Sequence, residues 1–324
     1  MRAVVCREYG PPESLVVADI PSAPLGRGEV RVRISAAALN FADTLIIEGK
    51  YQVKPPVPFV PGFEAAGTVV EAAPDAGIAP GTRVIVVLDH GAFAEEVVCP
   101  AALAFPIPDG MDFDVAASFP VAYGTAHAAL ALRAHLRPGE VLLVLGAAGG
   151  VGLAAVEIGK AMGATVIAAA RGADKLALAR AHGADHAVDY ERENLRVAVR
   201  KAVGRGVDVV FDPVGGELFD VALRLLEWEG RMVVIGFAAG GIPQIPANVL
   251  LVKNIGVLGL YWGTYWKRAP ERVRAEFEQL LAWWQAGKLK PVVSRRFPLD
   301  AVAAAMAELT ERRATGKVVL RMQP

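Results

Sequence analysis

The sequence lacks several features that would point to particular classes of protein. Its 324 residues contain two cysteines, Cys6 and Cys99, which are too few for a disulfide framework and lack the spacing of a zinc site. We therefore expect the chain in a reducing cytoplasm. Lysine and arginine together number 34, as do aspartate and glutamate, so no excess of charge favours nucleic acid or an anionic membrane as partner.

Long hydrophobic segments are also interrupted. The uncharged segment 141–156 contains four glycines and is flanked by Glu140 and Glu157, which argues against a membrane span. Segment 232–252 is uncharged as well, but two prolines break it. The first ten residues carry an early charge and no long apolar core, so we predict no signal peptide.

The most informative motif is a glycine-rich turn that follows the apolar segment 141–145. Glycines at 146, 149, 150 and 152 lead into a second apolar segment. A buried strand, a tight turn and a helix N-terminus are the parts with which a backbone binds a dinucleotide. We expect unusual backbone angles at Gly146 and Gly149, and a diphosphate close to Gly149 and Gly150. We expect Gly152 to let the helix approach the strand; alternatively, the glycines only close a tight turn.

Strand and helix patterns alternate from about residue 121. Strands are predicted at 141–145, 165–170, 186–189, 207–211, 231–236 and 255–260, and helices at 123–132, 150–162, 174–182, 191–203 and 216–226. This order predicts an α/β fold with a doubly wound parallel sheet. Residues 1–120 are instead rich in short β patterns separated by proline and glycine. We therefore predict a first domain over 1–120, a dinucleotide-binding domain over 121–262, and a return to the first domain over 263–324.

Five motifs occur together along nearly the whole chain. They are Asn40–Asp43, Pro55–Gly67, Ala122–Leu130, Gly146–Gly152 and Phe211–Gly216. The chain thereby resembles the medium-chain dehydrogenase/reductase superfamily, and within it the zinc-free NADPH:quinone oxidoreductases of the zeta-crystallin type. The resemblance implies a GroES-like catalytic domain, a Rossmann domain and a homodimer formed by pairing of edge strands.

The same resemblance bears on metal binding. Zinc alcohol dehydrogenases of this superfamily place a cysteine where this chain has Asn40, and a histidine where it has Phe63. Neither asparagine nor phenylalanine is a strong zinc ligand. We therefore predict no metal site. Without a Lewis acid, reduction of an electron-poor acceptor is easier than alcohol oxidation.

The end of the second nucleotide-sheet strand favours NADPH over NADH. NAD-specific sites carry an acidic residue there, whereas this chain has Arg171, with Lys175 four residues on. An acid would repel a 2′-phosphate, and an arginine binds it. The resemblance adds Tyr190 and Arg313 around the same phosphate. The alternative is that Arg171 and Lys175 are solvated surface charges.

The resemblance places further cofactor contacts at the diphosphate and the nicotinamide. These are Thr125, Ala148, Gly149, Gly150, Val151, Gly152, Val214, Gly236, Phe237, Leu260 and Trp262. We expect the nicotinamide in a cleft between the domains, at the carboxyl ends of the parallel strands. The aromatic residues from Tyr261 to Trp266 either stack on a flat acceptor there, pack between domains or contact a second subunit.

Two residues of the first domain are candidate catalytic residues. Asn40 either hydrogen-bonds the ribose or an acceptor carbonyl, or caps a helix over Phe41–Ile47. Tyr51 matches a family tyrosine that is the proposed proton donor in related enoyl reductases; alternatively it is a rim residue packed under the cofactor.

Three functions follow from these features. The first is NADPH-dependent, metal-free reduction of quinones, which needs alignment of the reactants more than acid–base groups. The second is reduction of a 2-enoyl substrate, either an acyl-CoA or another α,β-unsaturated carbonyl. The third is a low-turnover NADPH-binding protein; the neutral charge counts against nucleic-acid binding by such a protein.

Overall fold

The chain divides into two units in this computed structural model, which describes residues Met1–Met322. The first unit comprises Met1–Val121 together with the segment from Pro291 onward, and the second comprises Ala122–Lys290. The return to the first unit thus comes at Pro291, not at 263 as predicted. The reason is that the helix over Pro270–Gln285 packs in the second unit, where its Phe277 stacks on Trp262.

The first segment of unit one is mostly β structure. Its strands are β1 (Arg2–Val5), β2 (Val16–Asp19), β3 (Glu29–Leu39), β4 (Glu64–Ala72), β5 (Arg83–Val87), β6 (Glu96–Pro100) and β7 (Ala104–Pro106). Its helices are α1 (Phe41–Ile47) and α2 (Phe113–Ser118). The sequence patterns missed β7 and α2, because both elements are too short for a hydrophobic period to emerge.

The second unit alternates helices and strands. Its strands are β8 (Val141–Leu145), β9 (Thr165–Ala170), β10 (His186–Asp189), β11 (Val207–Asp212), β12 (Leu226–Val234) and β13 (Gly256–Gly259). Its helices are α3 (Pro120–His127), α4 (Gly150–Ala161), α5 (Ala173–Ala181), α6 (Leu195–Val203), α7 (Gly216–Leu225), α8 (Ala247–Lys253), α9 (Tyr265–Arg268) and α10 (Pro270–Gln285).

The strands of the second unit form one six-stranded parallel sheet in the order β10-β9-β8-β11-β12-β13. This is the doubly wound order, with its topological switch point between β8 and β11. Every residue of β8 is buried, as expected for a central strand with helices on both faces. The predicted α/β fold is confirmed.

Several predicted boundaries in this unit are wrong. Helix α6 begins at Leu195 rather than at 191, because the Asn194 side chain accepts a hydrogen bond from the Val197 amide (3.1 Å) and caps the helix. Strand β12 extends over Leu226–Val234, so it begins earlier and ends earlier than predicted. Helix α3 ends at His127, and a π-helical segment continues it over Ala128–Arg133.

The last elements return to unit one as β14 (Val293–Pro298), α11 (Val302–Thr310) and β15 (Lys317–Arg321). The seven-stranded sheet of this unit has the order β14-β15-β3-β4-β5-β7, and β6 also pairs with β3. Strand β15 therefore lies inside the sheet, between β14 and β3. Within residues 1–322, no helix combines the length and the apolar character needed to cross a membrane.

Candidate functional site

The glycine turn after β8 has the geometry of a close helix–strand junction. Gly146 adopts φ +60°, which disfavours residues with a Cβ. A Cβ at position 152 would overlap the carbonyl oxygen of Gly146 and lie 2.9 Å from Cα of Ala147, so only glycine fits there. The expectation for Gly149 is wrong: its φ of −77° and ψ of 171° are ordinary, because it is the N-cap of α4.

The first turn of α4 can bind an anion. The first hydrogen bond into the helix is donated by the Leu153 amide to Gly149 O (2.8 Å), so the amides of residues 150–152 have no partner within the helix. The positive end of the helix dipole lies at these amides. Ala148 is buried beside them, and Val151 is half-buried. This turn therefore fits the diphosphate of a dinucleotide.

The loop after β11 lies beside the glycine turn, across the switch point. A Cβ at Gly146 would come within 3.1 Å of Val214 Cγ2. Asp212 shapes the loop, because its Oδ1 accepts from the amides of Val214 (2.8 Å) and Gly215 (2.9 Å). Burial raises the pKa of Asp212, and its Oδ2 is buried without a hydrogen-bond partner. Sequence reasoning assigned no role to Asp212, although aspartate before a Pro-Val-Gly-Gly turn is an Asx-turn signal.

The loops after β12 and β13 join the same edge of the sheet. The Ala238 amide donates to Pro213 O (3.2 Å), and the Leu260 amide donates to Val234 O (3.2 Å). A Cβ at Gly215 would lie 3.2 Å from Cδ1 of Phe237, next to Gly236. The predicted contacts Val214, Gly236, Phe237 and Leu260 therefore lie on adjoining loops at the carboxyl edge.

Trp262 belongs to the packing of the second unit. A Cβ at Gly124, the residue before Thr125 in α3, would overlap its indole ring. The ring also stacks on Phe277 of α10, with 6.3 Å between centroids, and meets Trp266 edge-on at 4.9 Å. Trp262 is 6% exposed, and its Nε1 is buried without a hydrogen-bond partner. Gly124 and Trp262 therefore pack together in a buried cluster, and Thr125, the next residue of α3, is also buried.

The residues predicted to bind the ribose 2′-phosphate lie just after the ends of β9 and β10. The two strands pair in parallel with Asp189 opposite Ala170, so the residues that follow, Arg171 and Tyr190, emerge side by side. The Arg171 guanidinium carbon lies 5.9 Å from the Tyr190 ring centroid. Lys175 lies in the first turn of α5, directly after these residues.

The other candidate residues lie in the first unit, around a buried network at the start of α1. Lys317 Nζ donates to Leu39 O (2.8 Å), Asn40 Oδ1 (2.6 Å) and Glu64 Oε1 (2.7 Å). Asn40 Nδ2 donates to the same Glu64 oxygen (2.9 Å). Asn40 is thus the N-cap of α1, as one alternative predicted, but its amide group is bound to Lys317 and Glu64.

Tyr51 and Arg313 are the other predicted residues of this unit, and Asp43 lies beside the Asn40 network. Asp43 Oδ2 accepts a hydrogen bond from the backbone N–H of Asn40 (2.7 Å), and burial raises the pKa of Asp43 to about 8. Tyr51 is half-buried against Phe63, with 5.6 Å between ring centroids. Arg313 follows α11 and pairs with Glu308 (3.0 Å), so its contact with a phosphate stays a prediction.

Two family models match the chain. The alcohol dehydrogenase GroES-like domain matches residues 26–109, and the zinc-binding dehydrogenase model matches residues 150–285. A GroES-like unit and a Rossmann sheet with its glycine turn together define a two-domain dehydrogenase or reductase.

Individual relatives are similar over nearly the full length. Quinone oxidoreductase-like protein 2 homolog of Nematostella vectensis is 42% identical, over 98% of this chain and 88% of that protein. The quinone oxidoreductase of Thermus thermophilus, solved also with NADPH, is 37% identical at a TM-score of 0.86, over 99% of this chain and 100% of its own. The Escherichia coli quinone oxidoreductase complexed with NADPH is 28% identical at a TM-score of 0.92, over 99% and 100%.

The chain belongs to the medium-chain dehydrogenase/reductase family and is an oxidoreductase of that family. The resemblance to its quinone oxidoreductases, predicted from five sequence motifs, is confirmed. Within the described residues, no group of three or more histidine, cysteine, aspartate or glutamate side chains is arranged to hold a metal ion.

Proposed function

We propose that the chain reduces quinones with NADPH and without a metal ion. The observation that carries this proposal is the carboxyl edge of the parallel sheet. It presents a glycine turn with free helix amides after β8 and an arginine beside a tyrosine after β9 and β10. Similar quinone oxidoreductases have been solved with NADPH, which supports the choice of cofactor.

Each part of this edge has a task in binding. The amides of residues 150–152 hold the diphosphate, and Arg171 with Tyr190 holds the 2′-phosphate, with Lys175 and Arg313 as further cations. Backbone groups of the loops at 236–237 and 260–262 orient the nicotinamide, with Thr125 as a further contact. When bound, NADPH supplies a hydride to the acceptor. Alignment of the two reactants is then the main catalytic contribution of the chain.

The Lys317 network supports chemistry without a metal. Its ammonium group already binds oxygens of Asn40 and Glu64, next to Phe63. A metal ion bound by the same oxygens would have to displace a buried cation from them. Quinones accept hydride without a Lewis acid, since their reduced anion is stabilised and takes its proton from water.

Steady-state NADPH oxidation tests the proposal. We expect turnover with a panel of quinones, retained after dialysis against a chelator, and a lower kcat/KM with NADH. Enoyl-CoA thioesters in the same assay provide the comparison substrate. Turnover restricted to enoyl thioesters, or activity that depends on added zinc, would contradict the proposed function. Binding of NADPH without turnover of any acceptor would favour a low-turnover binding protein.

Reduction of a 2-enoyl substrate is the second candidate, and it depends on Tyr51 as the proton donor. Tyr51 packs on Phe63, which precedes Glu64 of the Asn40 network. An enoyl substrate needs a proton at carbon after hydride transfer, whereas a quinone does not need an enzymatic acid. We expect Tyr51→Phe to lower kcat for enoyl thioesters about 100-fold and for quinones less than about threefold. Equal losses on both substrates would remove Tyr51 as a proton donor.

A further inference from the structure

Arg171 has an acidic neighbour at the site proposed for the 2′-phosphate. Its Nη1 lies 3.1 Å from Oε1 of Glu191, one residue beyond Tyr190. The Arg171 side chain is 36% exposed and the Glu191 side chain 55% exposed, so both are open to solvent and to a ligand. Arg171 therefore already forms an ion pair with a carboxylate of the same chain, that of Glu191.

The backbones that carry this ion pair are fixed by a buried carboxylate. Asp189, the last residue of β10, is buried, and it accepts from the amides of Gly172 (3.2 Å) and Glu191 (3.1 Å). One carboxylate thus ties the turn after β9 to the turn after β10. The side chains of Arg171 and Glu191 stay within reach of each other, while the Glu191 carboxylate remains free to rotate into solvent.

We propose that Glu191 tunes cofactor specificity by competing with the ribose 2′-phosphate for Arg171. This inference rests on the proposed use of NADPH. A dianionic phosphate on Arg171 must displace the carboxylate and then lies close to a like charge, which weakens its binding. The 2′-hydroxyl of NADH carries no charge and meets no such repulsion. Glu191 therefore lowers the preference of the chain for NADPH over NADH.

Calorimetric titration with 2′,5′-ADP and 5′-AMP tests this inference, because the two probes differ only by the 2′-phosphate. We expect Glu191→Gln to bind 2′,5′-ADP about three- to tenfold more tightly, with 5′-AMP affinity changed less than about twofold. The gain should shrink in high salt, since both groups are exposed. Glu193→Gln is the matched control, an exposed glutamate in the same turn, and should leave both affinities within about twofold.

The outcomes separate the two proposals. A wild-type chain that does not prefer 2′,5′-ADP over 5′-AMP would overturn the proposed use of NADPH. A wild type with that preference and a Glu191→Gln variant with equal or weaker 2′,5′-ADP binding would overturn only the inference, because Glu191 would then align Arg171 for the phosphate. Equal gains in Glu191→Gln and Glu193→Gln would also overturn it, since the effect would be one of net charge.

Discussion

Single glycines in the turn after β8 meet different constraints. A Cβ at 152 would overlap the Gly146 carbonyl, whereas a Cβ at 149 would lie 3.5 Å from the same oxygen, an ordinary contact. We expect Gly152→Ala to lower the free energy of unfolding by about 2 kcal/mol and to abolish detectable NADPH binding, because α4 must move away from β8. Urea unfolding and fluorescence titration measure both effects.

Gly149→Ala is the matched control for this prediction. Its backbone angles suit alanine, so we expect a change in unfolding free energy below about 0.5 kcal/mol. NADPH binding should still weaken if the diphosphate approaches Gly149. A Gly152→Ala chain that is as stable as Gly149→Ala would contradict the packing argument.

Asp43 gives stability a pH dependence. The pKa of an unfolded aspartate is about 4, and burial raises the pKa of Asp43 to about 8 in the folded chain. Between these values the folded chain holds a proton that the unfolded chain has lost, so this group lowers stability as pH rises through the window. Asp43→Asn removes the effect while keeping an acceptor for the Asn40 amide.

Urea unfolding between pH 4 and pH 8 checks the Asp43 prediction. The stability of Asp43→Asn relative to wild type should rise with pH, at a limiting slope of about 1.4 kcal/mol per pH unit. Asp109→Asn, at an exposed position of the same unit, serves as control and should show no such trend. A flat difference for Asp43→Asn would show that Asp43 ionises normally.

Buried carboxylates were the residues that the sequence predicted least well. Glu64, Asp189 and Asp212 are buried, and each accepts hydrogen bonds that shape the candidate site. Their partners are backbone amides or residues distant in sequence, so neither hydrophobic period nor local spacing identifies them. Arg171 was inferred from its place at the end of the second strand and Tyr190 from the family resemblance. The parallel pairing of β9 and β10 explains why the two lie side by side, and their contact with a phosphate stays a prediction.

Among the elements, three strands of the parallel sheet were predicted best. The bounds of β8, β9 and β10 agree with the sequence patterns. For β8 and β9 the reason is an apolar segment that ends at a glycine or a charged residue, as is typical of buried strands, whereas β10 is a short edge strand. Strand β14 and helix α8 were missed. Strand β14 carries Arg295 and Arg296 at the sheet edge, so it shows no apolar alternation.

Helix α2 is tied to the returning strands by one carboxylate. Asp114 is buried and pairs with Arg296 of β14 (2.5 Å) and Arg321 of β15 (2.6 Å). Burial alone would raise its pKa, but the hydrogen bonds from the two arginines outweigh burial, and the pKa is lowered. The pairs therefore stabilise the fold above about pH 4, and this contribution is lost as pH falls.

Asp114→Ala should therefore destabilise the first unit. We expect a loss of about 2 kcal/mol at pH 7, less than for a fully buried pair because both arginines are about half exposed. The difference from wild type should narrow below pH 4. Thermal unfolding at pH 7 and pH 3 measures it; an equal loss at both pH values would assign the effect to packing alone.

At the scale of the whole molecule, β13 forms an edge of the parallel sheet, and helix α8, which directly precedes it, carries exposed apolar side chains. Leu251 and Val252 of α8 are 79% and 78% exposed. An apolar surface beside an open strand edge favours association, so we expect a homodimer through this edge. Leu251→Lys should shift the dimer toward monomer in sedimentation velocity. Val197→Lys, at an exposed apolar position of α6, which follows the opposite edge strand, should not.

The division of the chain was predicted only in part. The change from β-rich to alternating patterns located the first boundary at 120, close to Val121. The second boundary was placed at 263, because six strands were complete there, yet α10 adds Phe277 to the cluster around Trp262. A helix that packs in either unit looks the same in sequence, so its hydrophobic period cannot locate that boundary.

The position of β15 inside the seven-stranded sheet sets an order of events during translation. The second unit is contiguous, so its sheet can form once residue 290 has left the ribosome. The β3 edge that pairs with β15 and the amide of Asn40 must wait for residues 317–321. A nascent chain halted before residue 317 could have a complete parallel sheet in the second unit, while β3 in the first unit would have an unpaired, aggregation-prone edge.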